Sequence, residues 1–480
     1  MTASQAQPVP HYSLPIDGEW VETSEELQVL NKFTGSPMGT VSVANKEIVD
    51  RAIDAAHRTS KLKPLSPYKR FEILRKTSAL LIENKEELAH IITGEVGKTY
   101  KEALVEVERT SQTFEIAAEE AKRIHGEGIP VESSLGAENR MAFTIRVPVG
   151  VVCAITPFNV PLNLVAHKVA PALAAGNTIV LKPASVTPII ALKLAELLEQ
   201  AGLPGGYLNV VVGAGSTVGT WLSNDSRINL YTFTGSPSIG LKLKQETGLR
   251  KVLLELGSNS AVIVHADADL DLAVRMSVGK SFANAGQVCI SVQRIYVHRS
   301  IHDDFVRKFV AETKKLNMGD PYDPSTDIGP MISVREAERV EQWVQEAIAE
   351  GSKLECGGTR QGALFTPTVL SQVTDSMKVT CEELFAPVVG VAIYDDIDEC
   401  IDTVNRSKYG LQAGVFTRSL DIAFKAARGI HVGGVLINDA SQFRADAMPY
   451  GGVKESGWGK EGPKYAIEEM TEIRLVILNL

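Results

Sequence analysis

Cysteine is scarce in this sequence. The 480 residues include five cysteines, an odd number, and no two of them form a C-x-x-C motif. A disulfide framework and a zinc knuckle both need paired cysteines, so the spacing argues against both. We therefore predict no metal site, and we expect a reducing cytoplasm as the compartment.

Long apolar runs and an excess of positive charge are also missing. No segment has about 18 consecutive apolar residues, so no membrane helix is predicted. The N-terminus lacks a basic region followed by an apolar stretch, so we expect no secretory signal. The net charge is −9, which argues against nucleic-acid binding. Apolar residues make up 44% and charged residues 22%, as in globular proteins of two or three domains.

Short apolar strands that alternate with helices predict an α/β fold. A mostly helical stretch over 47–125 comes first. Buried strands then follow at 147–155, 177–182, 208–212 and 229–234. A second block of strands is predicted at 261–264, 294–297, 366–370, 388–393 and 434–438. This alternation indicates two doubly wound parallel-sheet domains, which bind ligands at the carboxyl ends of their strands.

Two segments fit neither sheet. Residues 140–147 alternate between apolar and polar side chains, and residues 471–477 end the chain as an apolar strand. Unpaired apolar edges attract partner strands. We therefore expect β pairing between subunits.

Two residues are candidates for covalent and acid–base chemistry. Cys289 follows a glycine-containing segment and has polar neighbours, which suits an accessible loop, although a lone cysteine can equally be buried and inert. Glu255 ends an apolar run just before Gly257, so it is expected at the end of a strand with little hydration. Burial would raise its pKa and suit it to general-base work. The alternative is an exposed glutamate at a hinge.

Two strand-to-helix turns are candidates for ligand binding. Asn159 follows a predicted strand, where its amide can stabilise an oxyanion or simply cap a turn. In the second turn, Gly235 allows close backbone approach, Ser236 can cap a helix and Pro237 fits its first position. That helix could face a pyrophosphate. Its glycines, Gly235 and Gly240, lack the G-x-G-x-x-G spacing of the common dinucleotide fingerprint.

Taken in order, the motifs of this sequence make it resemble the aldehyde dehydrogenase superfamily over essentially its whole length. They are Ile155-Thr-Pro-Phe-Asn, Asn177-Thr-Ile-Val-Leu-Lys-Pro-Ala-Ser, Phe233-Thr-Gly-Ser, Leu254-Glu-Leu-Gly, Gly286-Gln-Val-Cys, Glu382-Glu-Leu-Phe-Ala-Pro and Pro449-Tyr-Gly-Gly-Val-Lys-Glu-Ser-Gly. Two positions depart from the usual pattern, because Ser258 and Ala386 stand where the family usually has glycine.

The resemblance implies a division of the chain. Residues 1–126 and 147–256 would form an NAD(P)-binding domain, and residues 257–447 a catalytic domain. Residues 127–146 and 467–480 would form an oligomerisation ribbon and tail. A homodimer or homotetramer is the expected assembly.

The resemblance also implies catalytic roles. Cys289 would be the nucleophile that forms a thiohemiacetal and then a thioester. Asn159 and the backbone N–H of Cys289 would form the oxyanion hole. Glu255 would activate the water that hydrolyses the thioester, and Lys168 and Glu461 would relay protons.

Cofactor roles follow in the same way. Lys182 and Glu383 would hold the adenosine ribose and the nicotinamide ribose, and Phe385 would form a wall of the ring site. Further cofactor positions implied are Thr156, Pro157, Phe158, Gly215, Gly235, Ser236, Gly240 and Leu256. Ser185 stands where NAD-preferring members often carry a glutamate that would repel a 2′-phosphate. We therefore expect NAD or NADP as cofactor, unless Ser185 is merely a small residue.

The substrate site is predicted from spacing and from the family's substrate loop. Asn159, Asn163 and His167 recur every four residues, so they would share one helix face and line the entrance. Arg444 falls in the loop, where it could bind a carboxylate, phosphate or sulfonate. The expected substrate is a small polar aldehyde, anionic if Arg444 binds it, as in lactaldehyde and glyceraldehyde-3-phosphate dehydrogenases. Alternatively, Arg444 pairs with Asp446 or Asp439.

Two other functions remain open at this point. A structural relative without activity would be expected to have lost Cys289 or Glu255, and both are present. A CoA-acylating semialdehyde dehydrogenase would lack the water-activating glutamate, so Glu255 favours release of the free acid.

Overall fold

Two sheets of mostly parallel strands form the body of the molecule, for which a computed structural model describes residues 9–480. The first sheet has the strand order Leu208–Val210, Thr178–Lys182, Val151–Ile155, Leu230–Thr234, Lys251–Glu255 and Gly457–Trp458, of which only the last is antiparallel to its neighbour. Helices separate these strands in sequence, as the predicted α/β class requires. The carboxyl ends of its parallel strands therefore meet at one edge.

The second sheet has seven strands. Their order is Lys353–Cys356, Thr368–Ser371, Val388–Tyr394, Val292–His298, Ser260–Val264, Gln412–Phe416 and Gly434–Ile437. Only the first strand runs antiparallel to its neighbour. The sequence did not predict the strand Gln412–Phe416, which includes a glycine and an alanine, both weak strand formers. It is the sixth of the seven strands, and the Asp439 carbonyl oxygen would lie 2.5 Å from a Cβ on Gly414, so this position suits glycine.

The helices cover both sheets and fill the N-terminal region. The predicted helical stretch consists of Lys46–Ser60, Pro67–Glu83, Lys85–Val96 and Tyr100–Ala121. The remaining helices of eight or more residues are Asn163–Ala175, Ile189–Gln200, Pro237–Glu246, Leu270–Phe282, His302–Thr313, Val334–Ala349, Ile397–Asn405 and Leu420–Gly429. Short helices lie at Thr220–Ser223, Lys378–Cys381 and Pro463–Glu469. Within residues 9–480, no helix is both long and apolar enough to cross a bilayer.

The predicted strand over 147–155 is wrong as a single element. Arg140–Pro148 belongs to a separate three-stranded sheet, and Val151–Ile155 belongs to the six-stranded sheet. The chain turns at Gly150, where φ is +119° and the carboxamide oxygen of Asn229 lies 2.5 Å from an added Cβ. Only glycine suits that turn.

The C-terminal strand pairs within its own chain. Thr471–Asn479 runs antiparallel to Arg140–Pro148 over nine residue pairs, and Gly128–Ile129 adds a short third strand. The expected pairing of the tail with another subunit would use its other edge and stays a prediction. The tail is the outer strand of the three, so its second edge carries no neighbour among residues 9–480. The remaining strands are short: His11–Tyr12, Leu14–Ile16, Glu19–Val21, Glu26–Leu30, Pro37–Ser42, Arg360–Gln361 and Leu364–Phe365.

Candidate active site

A cavity of about 580 Å³ lies beside Cys289. One wall is the helix Tyr100–Ala121, and the segment 442–450 forms another part of the lining. The turn after Val151–Ile155 contributes Asn159 and Val160. The cavity therefore joins the carboxyl edge of the first sheet to a loop that precedes a strand of the second.

A tight turn places Cys289 on the cavity wall. After the helix Leu270–Phe282, Asn284, Ala285 and Gly286 all have positive φ, at 50°, 53° and 70°. Left-handed backbone at a residue with a Cβ costs about 1–2 kcal/mol, so tertiary contacts must maintain this turn. A Cβ on Gly286 would lie 2.1 Å from the Ala386 carbonyl oxygen, which requires glycine. The predicted loop position of Cys289 is confirmed.

Asn159 is joined to the same turn by two hydrogen bonds. Its Nδ2 donates to the carbonyl oxygen of Gln287 at 2.9 Å, and Nδ2 of Asn284 donates to the carbonyl oxygen of Asn159 at 3.0 Å. Asn159 itself precedes the helix, which begins at Asn163. The predicted common helix face is therefore wrong for Asn159, because Pro161 disfavours helical backbone at the residue before it.

The sulfur of Cys289 contacts a phenol that the sequence reasoning did not single out. Sγ lies 2.9 Å from the hydroxyl oxygen of Tyr450, and the Arg444 guanidinium lies 3.8 Å from the centre of the same ring. Burial raises the pKa of the Cys289 thiol to about 11, although Tyr450 and Arg444 both act to lower it. Tyr450 stands in the motif Pro449-Tyr-Gly-Gly, which was used in the sequence only as evidence for the family.

Two buried glutamates meet behind this cavity. Glu255 is the last residue of its strand, as predicted, and its Oε2 has no hydrogen-bond partner among the described residues. Glu461 lies between two cations, with Oε1 2.7 Å from Nζ of Lys168 and Oε2 3.0 Å from Nη2 of Arg444. Burial and the charge of Glu461 raise the pKa of Glu255 well above its ordinary value. Burial alone would also raise the pKa of Glu461, but Lys168 and Arg444 lower it to about 2.

A third buried acid near the cavity, Asp446, is saturated with hydrogen-bond donors. Arg109 donates to both of its oxygens at 2.8 and 3.1 Å, Asn163 donates at 3.1 Å, and Nε2 of His167 lies 2.9 Å away. Burial and the charge of Arg444 lower the pKa of His167 to about 4. His167 is therefore neutral near pH 7 and lies behind Asp446, so its predicted place at the entrance is wrong, whereas Asn163 does line the cavity.

The sequence suggested Asp446 or Asp439 as the ion-pair partner of Arg444, and the structure shows a different one. Arg444 pairs with Glu461, and Asp446 pairs with Arg109. Arg109 was not predicted from the sequence. Its signal is a polar stripe at one helix face, formed by Glu102, Glu106, Arg109 and Thr113, which are spaced by three or four residues. All four bond to residues around the cavity.

Lys182, Ser185 and Thr156, three of the predicted cofactor residues, lie at the carboxyl edge of the six-stranded sheet. Lys182 ends its strand and is buried, and its only partner among residues 9–480 is the Pro183 carbonyl oxygen at 3.3 Å. Burial lowers its pKa to about 8. Ser185 donates its hydroxyl to the carbonyl oxygen of Gly213 at 2.7 Å. The hydroxyl oxygen of Thr156 is buried without a partner among residues 9–480. Such an edge, with polar groups left open, suits ribose hydroxyls or a phosphate.

The helix Pro237–Glu246 begins at this edge. Ser236 precedes it in extended conformation and makes no side-chain cap, so the first N–H groups of the helix remain open to a pyrophosphate. Gly240 packs directly against Leu256. A Cβ at position 240 would lie only 2.5 Å from a Leu256 methyl carbon. This close approach positions the helix over the sheet. Gly215 begins the neighbouring turn Gly215–Gly219, where an added Cβ would meet nothing within 4 Å.

Glu383 and Phe385 approach from the second sheet. Glu383 Oε1 accepts the N–H of Ser258 at 2.9 Å, and burial raises the pKa of Glu383 to about 7. Phe385 has a φ of 51° and packs edge-on to Phe158, 5.9 Å between ring centres. Pro157 precedes Phe158 in the turn that also carries Asn159. The chemistry of these residues suits NAD or NADP, and their roles in binding it stay predictions.

Comparison with known proteins decides the family. A profile of the aldehyde dehydrogenase family matches residues 20–476. The chain belongs to the aldehyde dehydrogenase family. It is 59% identical to a 3-sulfolactaldehyde dehydrogenase of Priestia megaterium, over 98% of this chain and 99% of the relative. It is 44% identical to a lactaldehyde dehydrogenase of Methanocaldococcus jannaschii, over 97% and 99% of the two chains.

The structure of this aldehyde dehydrogenase agrees with solved relatives. A glyceraldehyde-3-phosphate dehydrogenase of Methanocaldococcus jannaschii, crystallised with NADP, superposes with a TM-score of 0.92 at 43% identity, covering 95% of this chain and all of the relative. The predicted fold class, the NAD(P)-dependent dehydrogenase activity and the resemblance to lactaldehyde and glyceraldehyde-3-phosphate dehydrogenases are confirmed. The enzyme is an oxidoreductase that uses NAD or NADP.

Proposed function

We propose that this aldehyde dehydrogenase oxidises 3-sulfolactaldehyde to the free carboxylic acid, with Cys289 as nucleophile. The observation that carries the proposal is the pair of guanidinium groups, Arg109 and Arg444, that line the cavity next to Cys289. The Priestia relative, 59% identical, supports the choice of a sulfonate.

The charges around the cavity favour an anionic substrate. Arg109 is held by both oxygens of Asp446, which fixes its planar fork at the wall. Arg444 and Lys168 both pair with the single carboxylate of Glu461, so these three groups together carry one net positive charge. Each charged hydrogen bond to a sulfonate would contribute about 1.5–3 kcal/mol in such a partly dry site.

Acylation needs the thiolate of Cys289 and an oxyanion site. The sulfur bonds to the aldehyde carbon, and the carbonyl oxygen takes the electron pair of the broken π bond. The second N–H of Asn159 and the backbone N–H of Cys289 would stabilise that oxygen. Loss of a hydride from this carbon, for which a bound NAD or NADP would be the acceptor, leaves a thioester on Cys289.

Hydrolysis then returns the enzyme to its starting state. Glu255 takes a proton from water, the hydroxide bonds to the thioester carbon, and the Cys289 sulfur leaves as thiolate. The proton on Glu255 has an exit toward the ion pair of Glu461 and Lys168, whose ammonium also donates to Thr232 at 3.1 Å.

The assembly and compartment belong to the same proposal. The apolar residues of the outer tail strand are exposed, among them Ile473, Leu475 and Ile477, which supports a homodimer or homotetramer. All five cysteines are free, which supports a reducing cytoplasm. The domain boundaries given above remain predictions.

Absorbance at 340 nm tests the substrate and the product. We expect kcat/KM for 3-sulfolactaldehyde to exceed that for lactaldehyde and propanal by tenfold or more, since roughly 1.4 kcal/mol is a factor of ten. CoA should change neither rate nor product. Preference for propanal would contradict the anion site, and a requirement for CoA would contradict release of the free acid. Glyceraldehyde 3-phosphate tests whether phosphate replaces sulfonate.

A further inference from the structure

The hydroxyl of Tyr450 is a candidate for controlling the state of the Cys289 sulfur. Tyr450 is 3% exposed and packs with Ile290 and Leu411. Its hydroxyl oxygen lies 2.9 Å from Sγ, and Sγ is the only hydrogen-bond partner of that hydroxyl among residues 9–480. A buried phenol needs an acceptor for its proton, and a thiolate is a far better acceptor than a thiol.

The ring of Tyr450 is held in place from behind. Its backbone N–H donates to the Glu461 carbonyl oxygen at 3.1 Å, and the Glu461 N–H donates back at 2.7 Å. The Glu461 carboxylate holds Arg444, whose guanidinium covers the Tyr450 ring at 3.8 Å. Tyr450, Glu461 and Arg444 thus form a closed set of contacts that holds the phenol ring and its hydroxyl oxygen in place beside Sγ.

We propose that Tyr450 positions the Cys289 sulfur and stabilises its thiolate by donating a hydrogen bond, and that the Arg444 cation above the ring strengthens this donor. The hydrogen bond becomes charge-assisted when the thiol ionises, and such bonds are roughly twice as strong as neutral ones. A cation over an aromatic face draws electron density from the ring and makes its hydroxyl a better donor. The role rests on the proposed function, because it assumes that Cys289 is the nucleophile.

The groups around the sulfur have opposite effects on the pKa of Cys289. Burial raises the pKa of Cys289 most, and the charges of Glu383 and Glu255 add to the rise. Tyr450 and Arg444 are the groups that lower it. Burial raises the pKa of Tyr450 itself well above its ordinary value, so the phenol keeps the proton that it donates.

The test follows the alkylation of Cys289 by iodoacetamide as a function of pH, with mass spectrometry to identify the modified residue. Tyr450→Phe should raise the pH midpoint of alkylation by half a unit to one unit. It should also slow the burst of reduced cofactor about tenfold, because roughly 1.4 kcal/mol of stabilisation is a factor of ten. The KM for the cofactor should not change.

Two further variants keep this test interpretable. Arg444→Met removes the charge and keeps a long side chain, and it should move the midpoint in the same direction by a smaller amount. Tyr322→Phe is the matched control, because the Tyr322 hydroxyl donates to His90 in a remote exposed contact and should leave the midpoint unchanged. Thermal melting shows whether each variant is folded.

The outcomes separate this proposal from the proposed function. An unchanged midpoint in folded Tyr450→Phe would mean that Tyr450 only packs against Cys289, and a lowered midpoint would mean that the phenol keeps the thiol protonated. Either result overturns the role of Tyr450. Full activity of Cys289→Ser would overturn the proposed function instead. The pH midpoint of alkylation reports on the Cys289 thiol itself and can be measured without catalytic turnover.

Discussion

Two buried carboxylate clusters lie beside the same cavity, yet they differ in how completely their oxygens are bonded. Both oxygens of Asp446 accept hydrogen bonds, from Arg109, Asn163 and His167. Glu255 keeps an oxygen without a partner among the described residues, next to the paired Glu461. A saturated carboxylate fixes geometry, whereas an unsaturated one remains able to take a proton.

The largest expected effect tests the unsaturated cluster. Glu255→Gln should lower steady-state turnover by about 10²- to 10⁴-fold, because it removes the general base. A single turnover should still release a burst of reduced cofactor, since acylation does not need this carboxylate. Stopped-flow absorbance measures both phases. Glu346→Gln, which loses a surface contact to Lys378, is the matched control. An equal loss of burst and turnover would place Glu255 before hydride transfer.

The saturated cluster should control substrate choice rather than chemistry. The double variant Arg109→Leu with Asp446→Asn removes the ion pair without leaving either charge buried alone. We expect the KM for 3-sulfolactaldehyde to rise by about ten- to a hundredfold, since charged hydrogen bonds are lost. The kcat/KM for propanal should change little. Steady-state kinetics with both aldehydes measures the split, and equal losses would show that Arg109 is structural.

The buried ammonium group of Lys182, which has no acid partner among residues 9–480, extends the comparison to the cofactor edge. Ser185→Glu would place a carboxylate close to a bound 2′-phosphate. Two like charges at an effective permittivity of about 20 repel by a few kcal/mol before screening. The affinity for NADP should therefore fall tenfold or more, and that for NAD far less. Fluorescence titration with each cofactor checks this, with Ser185→Gln as the neutral control. Unchanged NADP affinity would show that the 2′ position lies elsewhere.

The smallest effect concerns stability, and its sign differs between the clusters. The folded state lowers the pKa of Asp446, so Asp446 stabilises the protein above the ordinary carboxyl pKa of about 4 and loses this effect as pH falls further. The folded state raises the pKa of Glu255, so its contribution is present below that ordinary value and is lost as pH rises through the raised pKa.

Calorimetry over a range of pH measures the difference. Glu255→Gln should melt a few degrees above the unmodified enzyme near about pH 9, and the two should agree near about pH 4, because the variant has no carboxylate to ionise inside the protein. The Tm of Asp446→Asn should fall less at acidic pH than the Tm of the unmodified enzyme. A constant Tm difference for Glu255→Gln across the whole range would contradict the raised pKa.

The sequence predicted the parts of the site that lie at strand ends. Glu255 at the end of its strand and Ser236 before a helix were found because apolar runs and turn residues mark such positions locally. The strand over 147–155 was split in the structure, because a local pattern did not show that Gly150 separates two sheets. Asn159 was placed on a helix that begins four residues later, although Pro161 carried the signal.

The contacts between distant segments could not be predicted in the same way. Arg109 and Asp446 are 337 residues apart, and Cys289 and Tyr450 are 161 apart. Pairing at such separations depends on how the two large sheets pack, which periodicity in one segment does not encode. The polar stripe around Arg109 could still have marked that helix face as buried and functional.

The central claim is that Cys289 carries the acyl group and Glu255 releases it. Intact-mass and peptide mass spectrometry of Glu255→Gln, quenched after one turnover with 3-sulfolactaldehyde and NADP, tests it most directly. We predict a single adduct with the mass of the sulfolactoyl group on the peptide that contains Cys289. The unmodified enzyme, quenched in the same way, should show little of it. A burst of reduced cofactor without any adduct on Cys289, or with the adduct on another residue, would contradict the account.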